Sequence, residues 1–309
     1  MKELEIIQHR EIDGISLFFD TVDYRTPHFH PEWELIWITD GQLTIHLGPD
    51  GCIGSEGDIF LFCPGKLHEF QKVGEGATFL CLQLSPQLFE KVYPGFGRIT
   101  TEDFRITPYF SAAECSDLRS DLRELTEVFL NRPPFFEILC TGLCARLFSH
   151  ILAVIPCRNM SAEELANADR RNARLERFIR FVDENYSHKI MLSDFAEMEQ
   201  CSVSYLSRFL KSALNQSFQK YVNSVRFHSA CKLIAGGGMK MLDVCEESGF
   251  SDYRYFSAAF KKHCGMTPEE YSRQAVKPED HSVRHSLHSL ERFYTREQSR
   301  ELLRRLRPE

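Results

Sequence analysis

The sequence predicts an α+β chain of two folding units, strands first and helices after, and three observations predict it. At 309 residues the chain is about twice the length of a usual single domain. Apolar residues alternate with a period of two from about residue 15 to residue 84, then change to a helical period from about residue 116. Within the helical part a segment of about fifty residues occurs twice. A composition of 43% hydrophobic and 26% charged residues belongs to an ordinary globular protein and excludes disordered and fibrous classes.

In the first unit Leu43, Ile45 and Leu47 alternate with polar partners, and Gly48-Pro49-Asp50-Gly51 supplies a turn. Residues 58–62 and 78–84 are further strands between glycine-containing breaks, a pattern of short antiparallel strands that suits a sandwich or small barrel. Trp33, Trp37, Phe60, Phe62 and Phe70 are expected mostly in its core. Residues 117–130 and 137–155 read as helices on either side of Pro133-Pro134. In the second of them Leu139, Leu143, Leu147 and Ile151 recur every four residues, a stripe that serves either a core or a dimer seam, with the seam taken as its candidate role. The polar, alanine-rich residues 157–170 are read as a linker. A helix from about 171 to 186 then presents Leu175, Phe178, Ile179 and Val182 on one face.

Charge divides the chain in the same place. Residues 1–169 hold 13 Lys and Arg against 26 Asp and Glu, whereas residues 170–309 hold 24 against 18. Only the second half, with a surplus of six positive charges, is suited to a polyanion. Eleven cysteines without a C-x-x-C pair speak against a disulfide framework or a thiolate zinc site. The first thirteen residues lack an apolar signal region, and no uninterrupted apolar run approaches the ~18 residues of a membrane span. The expected location is the cytoplasm, with no membrane partner.

The repeat carries the function. Asp194-Phe195-Ala196 lies opposite Asp243-Val244-Cys245 at an offset of 49, and after one inserted residue 205–211 faces 255–261 at an offset of 50. Each copy is a short helix, a turn and a second helix. In the first copy Leu206, Phe209 and Leu210 face inward, leaving Ser204, Ser207, Arg208 and Lys211 on the outer face. In the second, Phe256, Ala259 and Phe260 face inward and Arg254, Ser257, Ala258 and Lys261 outward, with Tyr253 beside them as a further DNA contact. Small hydroxyl residues next to Arg and Lys let a helix lie deep in the major groove, where Arg bridges guanine O6 and N7. The connector of about 19 residues would span roughly 28 Å as a helix, close to one turn of B-DNA, and Gly236-Gly237-Gly238 would end it.

Ile190-x-Leu192-x-Asp194-Phe195-Ala196, Tyr205-Leu206-Ser207-Arg208, Gly249-Phe250-Ser251-Asp252-x-x-Tyr255-Phe256 and Phe260-Lys261-Lys262-x-x-Gly265-Met266-Thr267-Pro268-x-x-Tyr271 together resemble the AraC/XylS family of bacterial transcription regulators. The resemblance covers residues 171–275 and implies an all-α double helix-turn-helix. Two departures stand out: Ala258 where the family often has Arg, and Asn215 in place of the usual Gly after the first reader.

The amino-terminal unit carries His28-x-His30-x3-Glu34-x6-Gly41 and, later, Pro64-Gly65-x-x-His68. On a strand, residues two apart share a face, so His28 and His30 are expected on one side with Glu34 further along the same alternation. Three readings stay open for these four residues: the lining of a small-molecule pocket, which is preferred, ligands of a divalent metal such as Mn, Fe, Ni or Zn, or hydrogen bonds among themselves. The spacing resembles the two motifs of the cupin fold, which implies a cupin-like β-barrel sensor with dimerisation helices in residues 1–156.

The expected protein is therefore a sequence-specific DNA-binding transcription regulator. Family resemblance favours an activator and a carbohydrate-related effector. Its partners would be double-stranded DNA, the small-molecule effector, a second copy of the chain and RNA polymerase. No cofactor is required, with a divalent metal at the same four residues as the exception. The alternatives are a metal-dependent cupin enzyme fused to a DNA-binding unit and a DNA-binding protein indifferent to ligand. The tail, residues 276–309, has Leu287, Leu290, Leu302, Leu303 and Leu306 among arginines and receives no role.

Overall fold

A computed structural model describes residues 11–47, 50–214, 216–274, 283–285 and 289–306. Five strands open the chain: β1 (Ile15–His28), β2 (Trp33–Leu47), β3 (Asp50–Ser55), β4 (Ile59–Phe62) and β5 (His68–Leu84). They form one antiparallel sheet in which β2 pairs with β3, β4 and β5, and β5 passes on to β1. Both faces of this sheet are covered, so alternation sorts residues between two cores rather than between core and water. Trp33, Leu35 and Trp37 of β2 join Leu80, Leu82 and Leu84 of β5 on the face under the helices. Ile36 and Ile38 join Phe60, Phe62, Phe70, Phe79 and Cys81 on the inner face. All five aromatics expected in the core are buried there.

After a short turn of helix α1 (Gln87–Glu90), strand β6 (Ile99–Thr101) pairs with β7 (Cys157–Asn159) and brackets two long helices, α2 (Ala112–Asn131) and α3 (Phe136–Val154). A capping box between Ser111 and Glu114 starts α2. Helix α3 buries Cys140, Leu143, Cys144, Leu147, Phe148 and Ile151 against the sheet. The stripe Leu143, Leu147 and Ile151 is therefore core and not a dimer seam; Leu139 alone of that set is exposed. On its opposite side α3 presents Phe135 and Ile138, 77% and 73% exposed. By length and composition α3 is also long and apolar enough to cross a membrane.

The expected linker is largely helical. Helix α4 (Ala162–Asn185) starts at Ser161, whose side chain accepts from the Glu164 backbone while Glu164 bonds back to Ser161, so the helix begins nine residues before the expected 171. Then follow α5 (Leu192–Met198), α6 (Val203–Leu214), α7 (Phe218–Gly236), α8 (Met241–Glu247), α9 (Tyr253–Cys264) and α10 (Pro268–Gln274). The two copies match in extent: α5 and α8 are offset by 49 residues, α6 and α9 by 50. The turn needs one left-handed residue. In the second copy Gly249 supplies it at φ +83°, with the Tyr186 carbonyl so near that a Cβ would stand 2.5 Å from its oxygen. In the first copy Gln200, the residue 49 earlier, holds φ +51°. The 19-residue α7 stops where expected, with Gly237 at φ +69°. Asn215 lies outside the described residues.

The described residues of the tail pack on the fold. Strand β8 (Val283–His285) pairs with β9 (Ser289–Phe293), β9 pairs antiparallel with β1, and α11 (Arg296–Arg305) lies along α2. Leu302 and Leu306 are partly buried against the core beneath α2 and α3. Leu287 lies outside the described residues.

Candidate functional site: two reader helices and a buried histidine cluster

The outer faces of α6 and α9 carry the expected residues. Ser204, Ser207, Arg208 and Lys211 are exposed on α6, while Leu206 and Leu210 are buried and Phe209 half-buried. On α9 Arg254, Ala258 and Lys261 are exposed, Ser257 is half-buried, and Phe256 and Phe260 are buried. Two positions are more engaged than the sequence suggested. Arg254 pairs with Asp252, the residue that caps its own helix, at 3.0 Å. Tyr253 is half-buried against Phe256 and donates its hydroxyl proton to Glu269. Arg174 of α4 packs over the rings of Tyr205 and Phe209 and, with Arg177, grips Glu199 at the end of α5. These contacts hold the first reader helix on its support.

The four residues singled out in the amino-terminal unit converge. His28 ends β1 directly opposite His68, which begins β5; His30 sits in the bend between β1 and β2, and Glu34 faces inward from β2 opposite Gln83. Their convergence comes from three chain segments, not from alternation along one strand. All four side chains are buried, and one ligand atom from each lies within 4.8 Å of the others. The Nδ1 atoms of His28 and His68 stand 3.0 and 2.9 Å from the carbonyls of Thr26 and Lys66. A carbonyl only accepts, so Nδ1 carries a proton in both rings. Glu34 accepts from Gln83 at 2.8 Å and lies 3.0 Å from His30 Nε2 and 3.4 Å from His68 Nε2. Burial pushes the His28 imidazole well below its usual range, with Arg25 and His68 adding to it, so its ring is neutral. Burial would raise the Glu34 carboxyl, but hydrogen bonds from His30 and His68 outweigh it and hold the group ionised.

Two protein-family models match the chain: an AraC-like ligand binding domain over residues 11–111 and a helix-turn-helix domain over residues 195–274. Together they take in more than half of it. The chain belongs to the AraC family of transcription regulators. Among its relatives, the HTH-type transcriptional activator RhaS of Pectobacterium carotovorum is 24% identical over 280 residues, covering 84% of this chain and 94% of RhaS. The HTH-type transcriptional regulator YijO of Escherichia coli K12 is 30% identical over 132 residues, 43% of this chain and 44% of YijO. The crystal structure of ToxT from Vibrio cholerae O395 aligns with 85% of this chain and 98% of its own at 14% identity and a TM-score of 0.43.

This AraC-family regulator thus has an amino-terminal ligand-binding unit and a carboxy-terminal DNA-binding unit, and the two touch at the histidine cluster. Phe29, between His28 and His30, and Leu67, next to His68, are part of the apolar core formed by Leu175, Phe178, Tyr221 and the rest of the first reader unit. Asn172 of α4 donates to the Gly65 carbonyl in the same loop at 2.9 Å. No spacing rule marks Phe29 and Leu67 as interface residues. Their signal was only that two large apolar side chains sit inside otherwise polar motifs.

Proposed function

We propose that this regulator is a dimeric transcriptional activator in which a divalent metal at His28, His30, Glu34 and His68 sets how the first reader helix is presented to DNA. The observation that carries this is the place of Phe29 and Leu67: the residues flanking the cluster are core residues of the reader unit. The donor set suits a borderline divalent ion such as Zn, Fe, Mn or Ni. Metal-to-nitrogen distances of about 2.1 Å allow ligand atoms to stand up to about 4.2 Å apart, so closing from 4.8 Å needs a movement of about 0.3 Å at each. Both histidines with fixed Nδ1 protons already have the carbonyl partners that orient a metal ligand. Bound there, the ion would supply a fixed cross-link among three chain segments.

The direct pocket reading of these four residues is less favoured. With the C-terminal strand in its seat, the cavity beside His28 and Glu34 is about 20 Å³, room for one water molecule and none for a sugar. Activation is supported by relatives named as activators. The dimer is supported by the exposed apolar face of α3 around Phe135 and Ile138, and the site of action is the cytoplasm, where the DNA is.

Metal analysis of protein purified without added metal tests the proposal. The expected result is about one equivalent per chain, lost in the His30→Ala, Glu34→Ala double variant. In Phe29→Ala the metal should remain while chelation no longer changes DNA affinity. Metal-free protein that also takes up none on titration would overturn the metal reading.

A further inference from the structure

The cavity beside the histidine cluster is closed by residues that no part of the sensor unit supplies. Phe18, Asp20, Arg25 and His28 line it from β1, and Glu291 and Phe293 line it from the C-terminal strand β9. One Arg25 nitrogen donates to both carboxylate oxygens of Glu291, at 2.9 and 2.8 Å, with the Glu291 side chain only 4% exposed. Two residues on, and therefore on the same face of the strand, the Phe293 ring lies 5.4 Å from that of Phe18. The strand thus presents a carboxylate to an arginine and an aromatic ring to an aromatic wall, inside the cavity of the sensor unit.

Its seat is also expensive to keep. Asp20 beside it is also buried, and burial together with Glu291 pushes its carboxyl well above the usual range, with Arg25 opposing. The Arg25–Glu291 pair is itself buried, and a buried ion pair returns little net stability after desolvation. Strand β9 lies between β1 and the short edge strand β8, and it is held to β1 by pairing from Asp20 to Arg25 and by the Tyr294 hydroxyl on Thr21.

We propose that β9 is a built-in occupant of the sensor cavity, and that the effector is a small carboxylate with an apolar, ring-sized body, which takes the place of Glu291 on Arg25 and of Phe293 against Phe18. This rests on the reading of the amino-terminal unit as the sensor and names the chemistry that it senses. The consequence for DNA binding lies in chain length. Helix α10 of the second reader unit ends at Gln274 and β8 begins at Val283, so a seated strand tethers that unit within about 30 Å of the cavity. Displacement by the effector removes the tether, and the second reader is then held by α7 and by the packing of Gly249 against Tyr186.

Full-length protein tests the proposal with three acids, benzoate, 3-phenylpropionate and octanoate, and their neutral amides as controls. In the parent, at least one acid at millimolar concentration should speed hydrogen exchange of the 289–293 amides tenfold or more, and no amide should. Glu291→Ala with Phe293→Ala should bind that acid at least tenfold more tightly by calorimetry, and adding Arg25→Ala should abolish the gain. Equal binding of acid and amide, or a folded double variant that binds no acid more tightly than the parent, overturns the proposal. If the double variant does not fold, Glu291→Gln decides: exchange at 289–293 should rise at least tenfold without any probe, and unchanged exchange overturns it. Gel shifts of the same samples on DNA selected from random sequence separate the two readings. Retained specific DNA binding with a failed acid response sinks the occupant and leaves the regulator standing.

Discussion

Tyr24 of β1 and His228 of α7 lie face to face, their ring centroids 3.7 Å apart and their planes within 5°. One belongs to the sensor sheet and the other to the helix that joins the two reader units, so this stack fixes the connector against the sensor. Stacked aromatic pairs contribute about 0.5–1.5 kcal/mol beyond their buried area. Tyr24→Ala should therefore leave both units folded but weaken their docking by about 1 kcal/mol or more. In calorimetry the unfolding of the variant should separate into two transitions where the parent shows one. A single transition at the parent temperature would remove Tyr24 from the interface.

The burial of α3 reverses an expectation about assembly. Because Leu143 and Leu147 are 5% and 1% exposed, replacing both with Asp puts two carboxylates into the core and should unfold the sensor unit rather than release monomers. Ile138→Asp, at a position 73% exposed, should keep the fold and dissociate the proposed dimer. Sedimentation with circular dichroism checks both, and a dimer that persists in Ile138→Asp moves the interface away from this face.

Why some of this was legible in the sequence and some was not follows from the physics of particular residues. The repeat was readable because Phe195, Leu206, Phe256 and Phe260 are core residues of local units whose contacts lie within about fifty residues. The stripe on α3 was ambiguous because a helix buries one face by the same spacing whether the cover is a sheet or a second copy. The start of α4 is hard to read because its signal is a single capping pair, Ser161 and Glu164, and the residues after it are polar and lack an apolar stripe. The seat of β9 depends on Arg25 meeting Glu291 across more than 260 residues of chain, and no local pattern encodes such a pair.

Glu199 ties α4 to the first reader unit, and this contact has a pH dependence of known sign. Hydrogen bonds from Arg177, opposed by burial and joined by Arg174, lower its carboxyl to about 2. An ordinary Glu titrates near 4.3, so the unfolded chain takes up the proton first as pH falls. The stabilisation is therefore fully present above about pH 5 and fades as pH falls toward 2. Since Arg177 is half exposed, the contribution is set at about 1 kcal/mol. Glu199→Gln should be less stable than the parent by that amount at pH 7, and the two should converge between pH 5 and 2 in urea denaturation. A gap independent of pH would assign the loss to packing instead.

The two reader helices should not contribute alike. Arg208 is exposed on α6 and, among the described residues, bonds only to the Ser204 carbonyl, at 3.4 Å, so its guanidinium is available to a guanine edge. Arg254 must first leave Asp252, and Ala258 offers no donor beside it. Arg208→Ala should then lower specific affinity by about 1–3 kcal/mol, and Arg254→Ala by less, toward the lower end of that range. Asp252→Asn frees Arg254 from its partner and removes a negative charge near phosphate, and it should strengthen binding several-fold. Lys211→Ala should weaken specific and random DNA alike and flatten the salt dependence by about one phosphate contact. Footprints of the parent should cover two adjacent major grooves per chain, the spacing that a connector of 19 residues allows at about 1.5 Å per residue. Competition gel shifts against random DNA at two salt concentrations measure all four variants. Equal loss on specific and random DNA for both arginine variants would show that α6 and α9 hold the backbone and that the sequence is read elsewhere.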